Sequence, residues 1–411
     1  MTMRIIKPFQ YSGEIRVNSS KSHVQRLLAL SLLSNNRTIL KGYQSCEDNE
    51  ACLSVIQQLG AEVAGEKTLT IQPPVRAKQQ TINLIVNESG LCLRMFAFIA
   101  TIFAERIILS GSGTLLNRPL NFLENALKNS GLTIKNSLFP FEFTGEINGS
   151  TIHLDGSESS QMLTGLLIAS PLLPTDTTIF VSNLTSKPYI DLTIQLMQEF
   201  GVSIVNDDYK TFMIKGTQHY IGREIDIEGD WSGAANHVIG AAISGEIKLS
   251  GLKMDSNQAD KICLDIVKLF GASVTWEEGD LIIEKARSTN PFNIDLTDNP
   301  DLFPILAILA CAATGTSVFT GTERLLHKES NRLQTVEEML SVFGVFYSTK
   351  ENTIEIHGKG QIDGGLINTY NDHRIAMAAT VAACLSTNEI LLTSPHCIDK
   401  SYPNFFSDLG Q

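Results

Sequence analysis

The chain has no cysteine framework. Its seven cysteines are an odd number without a Cys-x-x-Cys pair, which argues against both a disulfide scaffold and a zinc site. Cys92, Cys263, Cys311 and Cys384 lie in apolar stretches and read as small core residues. A long apolar run is missing as well. The longest candidate, Leu302 to Ala313, is interrupted by Pro304 and is too short to span a bilayer. Met1-Thr2-Met3-Arg4 leads straight into a strand-like run with no signal-type apolar region, so a cytoplasmic protein without membrane attachment is expected. Positive charge is also scarce, with 32 Lys and Arg against 44 Asp and Glu and a net charge of −12. That balance argues against nucleic acid as a partner. It also gives weight to any local cluster of basic residues, which must be assembled against the average.

What the chain does have is a period of about 70 residues, repeated six times. One series is a glycine that follows a helix-like segment: Gly60, Gly131, Gly201, Gly271, Gly344 and Gly410, with spacings of 71, 70, 70, 73 and 66. The residue before it is apolar in every case except Ser130. A second series, Lys21, Gly90, Ser160, Trp231, Asp301 and Asp372, keeps intervals of 69 to 71. Internal repeats of this kind decide the architecture. In the third repeat, Ser159-Ser160-Gln161 opens an apolar helix, Thr178-Ile179-Phe180-Val181 reads as a strand, and Asp191 to Met197 as an amphipathic helix. Gly201 suits the left-handed position after that helix, and two alternating strands close the unit. The order is βαβαββ.

The sixth repeat stops about 40 residues after Asp372, before its closing strands. Two strand-like runs at the start, Met3-Arg4-Ile5-Ile6 and Glu14-Ile15-Arg16-Val17, are expected to complete it. The chain is therefore an α/β protein of two domains with three units each, 1–19 plus 227–411 (domain I) and 20–226 (domain II). Its active site is expected in the cleft between them.

The chemically active residues fall at helix starts. There, free backbone N–H groups and a partial positive charge favour anions, and a nearby Ser, Lys or Arg turns the position into a phosphate or carboxylate site. The sequence supplies Lys21-Ser22 with Arg26, then Gly90 with Arg94, Arg118 before Pro119, and Ser159-Ser160-Gln161. Next come Ser186-Lys187-Pro188-Tyr189, Asp301, Lys328-Glu329 with Arg332, Asp372-His373-Arg374, and Lys400. Pro119 reads as a first helical residue. The fourth repeat, Gly229-Asp230-Trp231-Ser232-Gly233, lacks a basic residue and reads as structural. Each motif alone could be an ordinary cap or an exposed charge ladder. Sharing one phase in an acidic chain, they point together to an anion site. His153, His219, His237, His357 and His396 share no phase and read as core or surface residues.

In their order, these motifs resemble those of the 5-enolpyruvylshikimate-3-phosphate synthase family, 3-phosphoshikimate 1-carboxyvinyltransferases, over the whole chain. The resemblance implies a two-lobed, inside-out α/β barrel-like fold. It implies transfer of the enolpyruvyl group of phosphoenolpyruvate to the 5-hydroxyl of shikimate 3-phosphate, in the shikimate pathway to aromatic amino acids. It also implies roles. Ser159, Ser160 and Ser186 would hold the 3-phosphate, with Lys21, Ser22, Arg26, Gln161, Tyr189, Asp301 and Lys328 around the shikimate. Lys21, Gly90, Arg118, Gln161, Arg332, Arg374 and Lys400 would surround phosphoenolpyruvate. Asp301 would take the hydroxyl proton and Glu329 would protonate the methylene carbon, with Lys21 beside them. Three positions depart from the family's usual pattern: Leu91 stands for a hydroxyl residue, Gln25 for Asn or His, and Arg324 for Asn or Glu.

The chemistry agrees with that resemblance. Two polyanions must be brought together, which calls for a basic lining, and Arg grips carboxylate and phosphate bidentately. Addition needs one group to deliver a proton and another to remove one. No redox step occurs, so no cofactor and no metal are expected, and a monomer is expected. Apposed positive helix starts predict an open empty form that closes on anions. Two alternatives are a UDP-N-acetylglucosamine enolpyruvyl transferase and a non-catalytic phosphometabolite-binding protein. The first usually carries Lys-Asn and a loop Cys, whereas this chain has Lys21-Ser22 and no Cys between Ser110 and Arg118. The second would not need both Asp301 and Glu329.

Overall fold

The computed structural model describes residues 3–411. Among them lie α1 (Lys21–Leu32), α2 (Glu47–Gln58), α3 (Gly90–Ile99), α4 (Asn121–Asn129), α5 (Gln161–Ala169) and α6 (Lys187–Glu199). They continue with α7 (Trp231–Ser244), α8 (Cys263–Phe270), α9 (Phe303–Ala312), α10 (Arg332–Val342), α11 (His373–Ala382) and α12 (Phe405–Asp408). No helix of the described residues is long and apolar enough to cross a membrane.

The chain divides into two compact units. One takes in the described residues up to Ser20 together with Glu228–Gln411, the other Lys21–Ile227. Each has its own apolar core. The odd-numbered helices, which open the repeats, form the interior of each unit. All ten residues of α9 are buried, and α3 and α5 are buried almost throughout, as helices that are apolar on every side must be. In one unit α3 packs on α1 and α5; in the other α7, α9 and α11 pack on one another. The approach of α5 to α3 requires glycine, since a Cβ on Gly165 would sit 2.7 Å from the carbonyl oxygen of Met95.

Six sheets cover these cores. Five have four strands, and in each the first two strands run parallel while a hairpin supplies the rest antiparallel. In the third repeat the order is Thr151–Asp155, Thr177–Ser182, Thr211–Ile214 and Ile204–Asp207. The chain start differs from expectation. Met3–Ile6 does join the sixth sheet, antiparallel to Ile390–Thr393, but that sheet has only three strands. Glu14–Arg16 instead lies parallel to Glu246–Ser250 and opens the fourth sheet. A single inward residue, Ile15, anchors it there, and Val17 N–H donates to Ser250 O at 3.0 Å. In the other unit Glu224–Asp226 fills the equivalent slot beside Thr38–Lys41. In both units, therefore, a strand from beyond the helices supplies the first position of a sheet.

The repeat glycines close helices in one way. Gly60, Gly131, Gly201, Gly271, Gly344 and Gly410 all have positive φ, from 64° to 120°. After each, the next N–H bonds back across the end of the helix: Ala61 to Ile56, Leu132 to Leu127, Val202 to Met197, Ala272 to Val267, Val345 to Leu340 and Gln411 to Phe406. This is the Schellman arrangement, whose left-handed residue glycine adopts without steric cost.

Candidate active site

The second repeat series falls at helix starts throughout. Lys21, Gly90 and Trp231 begin α1, α3 and α7, Ser160 and Asp372 precede α5 and α11, and Asp301 lies in the 3-10 turn Pro300–Leu302 that leads into α9. Interior helices packed side by side bring these starts together, in two sets of different chemistry.

In the unit of α1 to α6 the set combines hydroxyls and cations, two of the cations paired with the acids Glu158 and Asp48. Ser89 caps α3, accepting from Cys92 N–H at 3.4 Å, and its hydroxyl donates to Gln25 Oε1. Ser159 Oγ accepts from Gln161 N–H at 3.2 Å, and Gln161 Oε1 accepts from Arg94 Nη1 at 3.2 Å. Arg94 also pairs with Glu158 at 3.4 Å. Arg118 reaches the same place: a Cβ on Gly90 would lie 2.8 Å from Arg118 Nη1 and 2.9 Å from Arg94 Nη1. Glycine at 90 thus leaves room for two guanidinium tips against the start of α3. Lys21 Nζ pairs with Asp48 Oδ2 at 2.8 Å, an acid of the first turn of α2. Ser186 precedes α6 in a left-handed conformation, φ 55°. Arg26 is buried and spends its donors internally, on Thr193 Oγ1 at 2.8 Å, Ser22 O at 2.9 Å and Tyr189 O at 3.3 Å. It links Ser22 and Tyr189, both expected near the shikimate. Burial lowers its guanidinium to about 10.

In the other unit the set alternates carboxylates with cations. Asp301 Oδ1 accepts from Arg332 Nη1 at 2.6 Å and lies 3.9 Å from Lys328 Nζ, while Oδ2 accepts from Arg374 Nη2 at 3.0 Å. Arg332, fully buried, turns Nη2 to Glu329 Oε2 at 2.6 Å and Nε to Asp372 Oδ2 at 2.8 Å. A single guanidinium therefore bridges three carboxylates. Ser330 Oγ adds a 3.0 Å bond to Asp372 Oδ2, and Asp372 Oδ1 caps α11 by accepting from Arg374 N–H at 3.0 Å. Lys400 Nζ donates to Asn371 O at 2.8 Å.

These neighbours set the charges. Burial pushes the Asp301 carboxyl up, but Arg374, Arg332 and Lys328 outweigh it and hold the group well below the usual carboxylate range. Burial lowers the Lys328 ammonium to about 8 although Asp301 pulls it upward. Arg332 is raised, since Asp372, Glu329 and Asp301 overcome its burial.

One local expectation needs correction. Pro119 does not begin a helix: Arg118 is extended, at the end of the 3-10 turn Gly113–Asn117, and α4 starts at Asn121. That turn is tied to the start of α3 through Glu88, whose Oε2 accepts from Thr114 N–H and Oγ1. Lys328 and Glu329 fall at a helix start, as expected, and not on the exposed helical ladder that such a motif alone could form. They lie in the turn before Asn331, which caps α10 through Gln334 N–H. Asp48, Glu158 and Asp260 belong to the charge network and were not singled out, because their roles depend on pairings across elements that no local spacing encodes.

Comparisons with known proteins agree over nearly the full length. Residues 5–409 match the sequence model of the family described as EPSP synthase (3-phosphoshikimate 1-carboxyvinyltransferase). A 3-phosphoshikimate 1-carboxyvinyltransferase of Clostridium novyi is 33% identical over 98% of this chain and 95% of its own. One from Methanocorpusculum labreanum is 35% identical over 98% of this chain and 97% of its own. In fold, the chain resembles EPSP synthase from Acinetobacter baumannii, with a TM-score of 0.82, 24% identity, and coverage of 99% of this chain and 97% of the other. It also resembles the enolpyruvyl transferase NikO from Streptomyces tendae, with a TM-score of 0.78, 14% identity, and coverage of 99% and 96%. With the family's sequence pattern running from the first sheet to the last helix, the chain belongs to the EPSP synthase family.

Proposed function

We propose that the chain transfers the enolpyruvyl group from phosphoenolpyruvate to the 5-hydroxyl of shikimate 3-phosphate, releasing phosphate. The observation that carries the assignment of roles is the network in which buried Arg332 joins Asp301 to Glu329. A binding protein for two anions gains nothing from carboxylates among its cations, whereas proton transfer requires them.

Asp301 takes the proton from the 5-hydroxyl as its oxygen bonds to C2 of phosphoenolpyruvate. Glu329 gives a proton to C3, forming a methyl group in a tetrahedral intermediate. The C2–O bond to phosphate then breaks, and a methyl proton returns to the protein as the double bond re-forms. In the empty site Asp301 is a poor base, because Arg332, Arg374 and Lys328 stabilise its charge. It occupies those cations much as a substrate anion would. Phosphoenolpyruvate, by drawing Arg332 and Arg374 to its own carboxylate and phosphate, removes that stabilisation and raises the proton affinity of Asp301. Lys400, placed beside Asn371 at the start of α11, is assigned to the same anion.

The hydroxyl-rich set takes the other substrate. Ser159, Ser160 and Ser186 are assigned to the 3-phosphate, with the positive ends of α5 and α6 adding to their grip. Lys21, Ser22, Tyr189 and Gln161 are assigned to the shikimate, with Arg26 holding Ser22 and Tyr189 in place. Gly90 and Arg118 are assigned to phosphoenolpyruvate. The proposal includes a monomeric cytoplasmic enzyme that needs neither metal nor cofactor.

Phosphate release measured on mixing shikimate 3-phosphate with phosphoenolpyruvate tests the reading. Release that requires both compounds is expected. Release with a UDP-N-acetylhexosamine as acceptor, and none with shikimate 3-phosphate, would overturn it.

A further inference from the structure

The fourth repeat carries no basic residue at its helix start, yet it borders the carboxylate and cation network. Ser232, in the first turn of α7, donates its hydroxyl to Asp260 Oδ2. Asp260 lies in the 3-10 turn Ala259–Ile262 and is 1% exposed. Its other oxygen, Oδ1, has no hydrogen-bond partner among the described residues. A half-satisfied buried carboxylate is costly unless a charge supports it. The turn that carries it is held to the proposed base: Asn299, two residues before Asp301, donates from Nδ2 to Ala259 O at 2.7 Å. Gln258, one residue further back, accepts from Trp231 N–H at 3.1 Å. Helix α7, on which the turn packs, also contacts α11.

Four groups on the surrounding elements interact electrostatically with Asp260. Arg374 comes from α11, Asp301 from the turn before α9, Asp230 from the cap of α7 and the Cys263 thiol from α8. Burial is the main influence and raises the carboxyl to about 6; Arg374 is the largest opposing one, and Asp301 adds to the rise. Arg374 is the main cation acting on Asp260, and it also binds Asp301 Oδ2 at 3.0 Å.

We propose that Asp260 is a positioning residue that acts through Arg374: its buried negative charge tempers the grip of that guanidinium on phosphoenolpyruvate and on the phosphate product. The inference rests on the assignment of Arg374 to that anion. When an anion binds Arg374, the support it lends Asp260 is partly cancelled, so Asp260 takes up a proton more readily and its repulsion of the bound anion falls. Affinity and proton uptake are therefore linked.

The test compares the wild type with Asp260→Asn, an isostere that can still accept from Ser232 but carries no charge. The affinity for phosphoenolpyruvate is measured by calorimetry with shikimate 3-phosphate present, and for inorganic phosphate alone, at pH 8 and at pH 5.5. At pH 8 the variant is expected to bind both anions about tenfold more tightly, corresponding to a shift of about one pKa unit at Asp260. At pH 5.5, where protonation of Asp260 in the wild type is favoured, the ratio between the two proteins is expected to shrink. The ionisation of the ligands is common to both proteins and cancels in the ratio. Equal affinities at pH 8, or a ratio that does not change with pH, overturn the proposal. Ser232→Ala gives an independent reading should Asp260→Asn not fold. Removing that hydrogen bond raises the proton affinity of Asp260, so the pH at which wild-type anion affinity changes should move upward, and an unmoved profile contradicts the idea. Arg374→Gln is measured in parallel. Unaltered phosphoenolpyruvate affinity in that variant would mean that the site assignment has failed, not the role of Asp260.

Discussion

The two units are built from the same repeat but cap their helices with different chemistry. In the unit of α1 to α6, serines stand at the starts: Ser89 before α3, Ser160 before α5 and Ser186 before α6. In the unit of α7 to α12 the caps are Asp230, Asn331 and Asp372, with Asp301 in the turn before α9. A serine at a helix start is neutral, so the positive end of the helix is not cancelled by a side-chain charge. An aspartate cap satisfies the N–H groups with its own charge and then attracts Arg and Lys. Under the proposed function, one unit serves as a receptor for anions and the other as a set of carboxylates and cations for proton exchange.

Four substitutions would break or sharpen this contrast. The largest effect is expected from Glu329→Gln, which removes a proton donor and keeps its shape. The rate of phosphate release should fall by about 10³-fold, with binding of both substrates retained in calorimetry. Asp372→Asn should cost stability as well as rate. Arg332 and Asp372 are both fully buried, and the substitution takes the charge from one of the three carboxylates around that guanidinium. A loss of about 3 kcal/mol in urea unfolding is expected, as for breaking a buried ion pair. Gly90→Ala probes the receptor side. Its methyl group must displace the tips of Arg118 and Arg94, so the KM for phosphoenolpyruvate should rise about tenfold, the cost of a misplaced charge-assisted contact. The KM for shikimate 3-phosphate should hold.

The smallest effect is a pH limb. Lys328, lowered to about 8, is a cation below that pH and neutral above it. The KM for shikimate 3-phosphate should therefore rise as pH passes upward through 8, and Lys328→Arg should flatten that rise. Because the folded chain sheds this proton before the unfolded chain does, the unfolded state binds more protons above about 8. There the group contributes a gain in stability with rising pH, up to its ordinary range near 10.5.

Much of this was legible in the period. Gly60 to Gly410 marked the helix ends, and Lys21 to Asp372 the starts, because both positions make local demands: a left-handed residue at one, a polar or small residue at the other. Lys21 and Asp301 lie in that second series, whereas the roles expected of them and of Glu329 and Arg374 came from the resemblance of their motifs to the family's. What escaped depended on long-range pairing. Glu14–Arg16 has too few residues to declare its sheet, and only the empty parallel slot beside Glu246–Ser250 selects it. Pro119 is compatible with a helix start, yet Glu88 holds the preceding turn and delays α4 to Asn121. Arg332 carried the signature of a substrate contact, but its burial among Asp301, Glu329 and Asp372 could not be read from a spacing of three. Asp260 lay in the repeat whose opening helix start, Gly229 to Gly233, carries no basic residue, and its partners come from other elements.

Hydrogen exchange at C3 of phosphoenolpyruvate addresses the division of labour between the units most directly. In heavy water with shikimate 3-phosphate present, addition and its reversal should replace the vinyl hydrogens by deuterium, followed by proton NMR. The wild type is predicted to catalyse this exchange and Glu329→Gln to bind both substrates without it. Exchange persisting at the wild-type rate in Glu329→Gln would contradict the assignment of proton chemistry to the aspartate-capped unit.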